Sequence, residues 1–216
     1  VLARVIEIAD THRDPDDGVM YLTDTAKART IREDNLYSGV RVTMNATVAA
    51  AVVRLQLDIN FGDPITPAPS TITYPVLRDD FAPVQILGYP LATVLAEKLT
   101  TSIQLGAANT RIRDYADIWT LTGLYDLEAV QLRAALENTA SHRKIILRPL
   151  SAALGDFATV RARIYETYRR RLGQDSAALP EKFLTLLNDV TAFADPLILN
   201  TSDAQHWQAH SRKWTP

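Results

Sequence analysis

The sequence contains no cysteine, which excludes disulfides, thiolate zinc sites and thiol nucleophiles. That absence is compatible with a reducing cytosol, the location expected for the chain. Glycine is scarce, with eight residues in 216, and none forms a phosphate-cradling loop. No apolar run is long enough to span a bilayer and no signal peptide is evident. A formal net charge of -2 gives no global sign of nucleic-acid binding, so any such binding must rest on a local patch. No Ser–His–Asp arrangement is evident. The four histidines offer one metal-like spacing, His206 to His210, in a polar tail without a third ligand. The chain begins directly in VLARVIEIAD with no Met, from which the amino end of a longer protein is expected to be missing.

What is present describes an ordinary globular protein: 47 % apolar and 22 % charged residues in a length that can bury a good core, as one large domain or two small ones. The first third reads as strands. VMYLTD, AKARTIRED and GVRVTMNATV are short, rich in β-branched residues and separated by turn formers at Asp16-Asp17-Gly18 and Tyr37-Ser38-Gly39. In the third of these, Val40, Val42, Met44 and Ala46 alternate with Arg41, Thr43, Asn45 and Thr47. From Arg54 to Phe61 the alternation repeats, with Leu55, Leu57, Ile59 and Phe61 on one face and Arg54, Gln56, Asp58 and Asn60 on the other. A proline-rich connector, Gly62 to Pro75, is expected to be extended loop. After Pro90 the period changes to 3.6, predicting helices near 90–105, 110–123, 126–139, 152–172, 180–194 and 203–213. Phe183, Leu186, Leu187, Val190 and Phe193 form an apolar stripe on the fifth. Strands followed by helices predict an α+β protein with a sheet lobe over 1–88 and a helical lobe over 89–216. Strands from Val19 to Phe61 should be mostly antiparallel, and no multi-stranded sheet is expected after Asp126.

Three groups of residues bear on chemistry. On the first predicted helix, Lys98 falls within the stripe of Leu91, Val94, Leu95, Leu99 and Ser102. A lysine aimed at an apolar interior needs an anion, either carboxylates or a bound phosphate, unless it snorkels to solvent. Asp58 is displayed on the polar face of its strand, where a carboxylate suits a divalent metal, or is simply solvated between Gln56 and Asn60. Asp114 and Asp117 stand three apart at a helix start, where the macrodipole favours acids and Arg113 can pair with Asp117. Residues 141–172 hold eight basic side chains against two acidic ones, with Tyr165 and Tyr168 among them. That run reads either as a solvated helix face or as a track for an RNA backbone with aromatics to stack on a base.

Asp58-Ile-x-Phe-Gly-Asp63, then Tyr89-Pro-Leu with Ala96-Glu-Lys98-Leu, then Leu105-Gly-x-x-Asn109-x-Arg111-x-Arg113-Asp114-Tyr-x-Asp117-Ile, resembles the pattern of the AbiEii/AbiGii toxin family. These are nucleotidyltransferase-like proteins, many of them toxins of type IV toxin–antitoxin pairs. The resemblance runs from about Asp16 to Leu124 and more loosely to about Pro196. It implies a nucleotidyltransferase-like sheet lobe followed by a helical lobe. It also implies transfer of a nucleoside monophosphate from an NTP to RNA, with tRNA the expected acceptor, and a cognate antitoxin as partner. By the resemblance, Asp58 would bind Mg²⁺ and Lys98 would neutralise triphosphate charge. Asp114 would orient Lys98 or the acceptor hydroxyl, and Arg111 and Arg113 would contact phosphate. The family's Asp-x-Asp metal strand has no counterpart here, since Asp14-Pro15-Asp16 reads as a turn. That strand is expected before Val1, leaving the chain as given inactive. The alternative is a catalytically silent module of the same fold that holds RNA or an antitoxin. Ala92 departs from the glutamate that many relatives carry after Tyr-Pro-Leu.

Overall fold

The computed structural model describes residues 1–11, 16–31, 39–62, 64–76, 81–201 and 204–216. His12, Asp14, Pro15, Tyr37, Ser38, Asp63 and Asp203, on which parts of the sequence reading fall, lie outside them. The chain divides into two compact units, Val1–Asp63 and Pro64–Pro216.

The first unit opens with helix α1 (Leu2–Ala9), which packs along strand β1 (Val19–Ile31). β1 pairs antiparallel with β2 (Gly39–Val48), and β2 with β3 (Ala51–Asn60), giving the order β1-β2-β3. β2 is central, and its inward residues Val42, Met44 and Ala46 are buried as the period-two pattern requires. VMYLTD and AKARTI are one strand and not two. A shift of pairing between Leu22 and Lys27 absorbs the extra residues as a bulge. The β2–β3 hairpin turns through Ala49 and Ala50, with Ala49 at φ 51°, a conformation that carries no glycine signal in the sequence.

In the second unit the proline-rich connector is not loop throughout. Its end forms β4 (Ser70–Tyr74), paired with β5 (Val84–Gly88) in a two-stranded hairpin. The helices follow: α2 (Leu91–Leu105), α3 (Ile112–Leu124), α4 (Ala129–His142), α5 (Leu150–Leu154), α6 (Phe157–Leu172) and α7 (Phe183–Leu199). The single helix expected over 152–172 is split, because Gly155 ends α5 at a positive φ of 53°, a backbone conformation that favours glycine. The stripe on α7 is buried throughout, from Phe183 at 3 % exposure to Phe193 at 0 %. Phe183 lies against Tyr115, Phe157 and Tyr165, which joins α3, α6 and α7 in one aromatic cluster.

The carboxyl-terminal segment contradicts two expectations. Residues 204–213 are not helical: β7 (His206–Gln208) and β8 (Lys213–Thr215) form a hairpin. Together with β6 (Leu127–Glu128) they build a three-stranded antiparallel sheet after Asp126, where none was expected. The reason is aromatic packing. Trp207 and Trp214 are paired across the hairpin and both pack on Phe193 of α7, at centroid distances of 4.8 and 5.4 Å. The Trp207 indole donates to the Thr122 carbonyl at 2.7 Å and the Trp214 indole to the Phe193 carbonyl at 2.8 Å. Two tryptophans seven residues apart reach one core together on an antiparallel hairpin, and this outweighs weak helix propensity. Arg212 in the turn lies 3.8 Å above the Trp119 ring. Gly123 leaves it room, since a Cβ there would stand 2.2 Å from Arg212 Nη2.

Candidate active site

The candidate site is built where α2 and α3 pack. Leu95, Leu99 and Ile103 on α2 and Ile112, Tyr115 and Ile118 on α3 are at most 3 % exposed. Burying that interface sets Lys98 at its rim, one residue before Leu99. Its Nζ donates to Asp114 Oδ1 at 2.9 Å and to Asp117 Oδ2 at 2.7 Å. The three side chains are 19 %, 15 % and 33 % exposed. Burial opposes the charge on Lys98, but the hydrogen bonds to Asp117 and Asp114 outweigh it and hold the ammonium above its ordinary range. The contact of Asp114 with Lys98, which the resemblance implies, is made between two adjacent helices of the second unit. Asp117 is a second partner that the sequence reading assigned only to Arg113.

Arg111 lies 3.7 Å from Asp114 and Arg113 lies 3.9 Å from Asp117. Three cations around two carboxylates leave the cluster one positive charge in excess, which suits an anionic ligand. An ammonium has three N–H donors, and the aspartates occupy two of them.

The turn before α3 explains why the motif has the letters it has. Gly106 ends α2 at φ 50°, and a Cβ there would stand 2.8 Å from the Ala153 carbonyl oxygen, so only glycine fits. Asn109 is fully buried: its amide nitrogen donates to the Tyr115 hydroxyl at 3.1 Å. Its carbonyl oxygen accepts from the Arg111 backbone N–H at 2.8 Å. These contacts fix the first turn of α3 and therefore Arg111, Arg113 and Asp114. Ala92 is 7 % exposed, so its small side chain packs where a glutamate would have to bury a charge.

Asp58 lies in the other unit and is not a lone strand carboxylate. Arg41, its cross-strand neighbour on β2, grips it with both arms, Nε to Oδ1 at 2.6 Å and Nη2 to Oδ2 at 2.7 Å. Among the described residues no group of three or more His, Asp or Glu is placed to hold a metal ion. A magnesium ion at Asp58 would share the carboxylate with the Arg41 guanidinium, which already donates one hydrogen bond to each of its oxygens. The partner was legible in part, since Arg41 stands on the polar face of β2. The His206–His210 spacing lies in and beyond a strand, and His206 Nδ1 is 2.9 Å from Glu128 Oε2.

The basic run divides by partner. Arg143 pairs with Glu97 of α2, Arg161 reaches the carbonyls of Ala107 and Ala108, and Arg169 those of Ser176 and Glu181. Tyr165 is 1 % exposed and stacks on Phe183, with its hydroxyl on the Pro180 carbonyl. Burial raises its pKa to about 12. It belongs to the core and is excluded as a base-stacking surface.

Among the described residues no helix is long and apolar enough to cross a membrane. No curated protein and no solved structure matches the chain. A family model described as nucleotidyl transferase AbiEii toxin, type IV toxin–antitoxin system, matches residues 3–213. The matched span contains Lys98, its two aspartates and the glycine–asparagine turn that positions them. The chain belongs to the AbiEii nucleotidyltransferase toxins of type IV toxin–antitoxin systems.

Proposed function

We propose that the protein transfers a nucleoside monophosphate from an NTP to a hydroxyl of RNA, with tRNA as the acceptor, and that Lys98, Asp114, Arg111 and Arg113 serve the nucleotide. The observation that carries this reading is the Lys98 ammonium held between two carboxylates with one N–H to spare. In the reaction the acceptor oxygen attacks the α-phosphorus, the bond to the bridging oxygen breaks, and pyrophosphate leaves. The hydroxyl proton passes to solvent. Such chemistry depends on positioning and on charge stabilisation. Asp114 and Asp117 fix the ammonium in place, Lys98 meets a phosphate oxygen, and Arg111 and Arg113 spread the remaining charge. Asp114, at 15 % exposure and bonded to Lys98, is better placed to orient the lysine than to meet an acceptor hydroxyl. A cognate antitoxin is the expected protein partner.

The second reading, a catalytically silent module binding RNA or an antitoxin, draws on Asp58, whose carboxylate is engaged by Arg41. NTPs labelled on the α- or on the γ-phosphate, incubated with the full-length protein, magnesium and total tRNA, separate the two. Nucleotide transfer puts the α label, and not the γ label, on RNA. Label from the γ position would mean phosphoryl transfer, and label from neither would favour the silent module.

A further inference from the structure

Beside the Lys98 cluster a cleft of about 460 Å³ opens between the first turn of α3 and the outer face of α6. Arg111, Arg113, Arg163 and Arg171 line it together with Thr167 and Tyr168, and no acidic side chain does. Arg163 and Arg171 pair with no carboxylate among the described residues, in contrast to Arg143, Arg161 and Arg169, which hold the fold together. Arg111 and Arg113 are set against Asp114 and Asp117, so Arg163 and Arg171 bring two uncompensated charges to the cleft, which an anion would offset. Arg163, Thr167, Arg170 and Arg171 share one face of α6 by their i, i+4, i+7 and i+8 spacing. A second depression shares Arg163 and Thr167 with the first and continues past Arg169 and Arg170 to Ser176, with Glu166 the one acidic side chain in its lining.

We infer that this arginine-lined track on α6 binds the phosphodiester backbone of single-stranded RNA and leads its end to the Lys98 cluster. The geometry favours a strand over a mononucleotide because arginines continue from one depression into the next, three against Glu166 in the second, with Arg163 at their junction. Tyr168 is half-buried: it packs against the core and lines the cleft, where its exposed part offers a surface for a base. Arg111 and Arg113 both line the cleft and touch the aspartates that hold Lys98, so they stand where the strand would meet the triphosphate. The inference rests on the proposed function only in taking RNA as the acceptor.

The test is fluorescence anisotropy with a labelled 12-nucleotide single-stranded RNA at several salt concentrations. It uses the full chain and the double variant Arg163→Gln/Arg171→Gln. Both side chains are exposed, and circular dichroism checks the fold. The double variant is expected to bind at least about 10-fold more weakly. Its slope of log affinity against log salt should be shallower by about 1.4, the value for two lost phosphate contacts on a single strand. Tyr168→Ala should weaken binding to normal RNA more than to an abasic strand. Arg54→Gln, on β3, serves as the charge control and should bind as the parent does. Equal affinity and slope in the double variant and the parent would overturn the inference. So would displacement of the RNA by polyglutamate at equal charge concentration, which would mark the track as a surface for an acidic protein. Lys98→Met separates the two readings: if it binds RNA normally but transfers nothing, the track and the reaction stand independently. Normal transfer by the double variant with undiminished RNA binding would remove the track alone.

Discussion

Replacing Lys98 with methionine in the full-length, active protein is expected to leave the fold intact and to lower nucleotide transfer to RNA by at least about 100-fold, the scale of losing one preorganised donor to a reacting group. Methionine keeps the unbranched stem that packs beside Leu95 and Leu99 but leaves no donor for phosphate. It also leaves Asp114 and Asp117 facing one point without a cation between them. For a fully buried ion pair such a loss costs about 3–5 kcal/mol. These side chains are 15–33 % exposed, so screening should reduce the cost to about 1–2 kcal/mol. The pH dependence has a definite sign. Lys98 has a raised pKa in the folded state, so its contribution is fully present below the ordinary lysine pKa and is lost as pH rises through the raised value. Urea midpoints of parent and variant should therefore differ by a constant amount across neutral pH and converge only in strong alkali. Retained transfer by a folded Lys98→Met protein would make the lysine structural.

Trp207→Ala is expected to cause the larger loss of stability, about 3–5 kcal/mol, by the cavity and lost contacts of a fully buried indole. Trp207 is 2 % exposed, packs edge-on against Phe193 and Trp214, and donates to the Thr122 carbonyl of α3. Without it that carbonyl loses its partner, and the carboxyl-terminal hairpin loses its main hold on α3 and α7. Leu184→Ala, 57 % exposed at the start of α7, should shift stability by less than about 0.5 kcal/mol. Urea unfolding of both variants checks this, and equal midpoints would show that the hairpin is peripheral to the core.

The parts of this fold that sequence made legible are those where one period dominates. The α7 stripe is buried throughout, and Val42, Met44 and Ala46 of β2 are buried with Val40 half-buried. On α2, Leu95, Leu99 and Ser102 are buried while Leu91 and Val94 are half-buried, the core face having turned toward Ala92, Ala96 and Ile103. The carboxyl-terminal hairpin was not legible, since its strands are three residues each and its burial depends on Phe193, Thr122 and β6, all distant in sequence. The break between α5 and α6 turns on one glycine inside an otherwise helical pattern.

Within the candidate site, a lysine on an apolar stripe correctly demanded an anion. Asp117 was missed as its second partner because i,i+3 spacing alone does not say which of two neighbouring helix faces meets another helix. Arg41 was missed as the partner of Asp58 because register between strands is set by the hairpin, not by either strand alone. The basic run of 141–172 looked uniform as letters. Only the fold separates arginines spent on carbonyls from Arg163 and Arg171.

The most direct test of the central claim is the affinity ratio between an NTP and its nucleoside monophosphate, measured by calorimetry on the parent chain and on Lys98→Met. A charge-assisted hydrogen bond to phosphate contributes about 1.5–3 kcal/mol, a factor of roughly 10 to 100 in affinity. If Lys98, fixed by Asp114 and Asp117, meets the triphosphate, the parent prefers the NTP and the variant loses about that factor of preference while its monophosphate affinity stays close to the parent's. An unchanged ratio in the folded variant would contradict the account and place the triphosphate elsewhere.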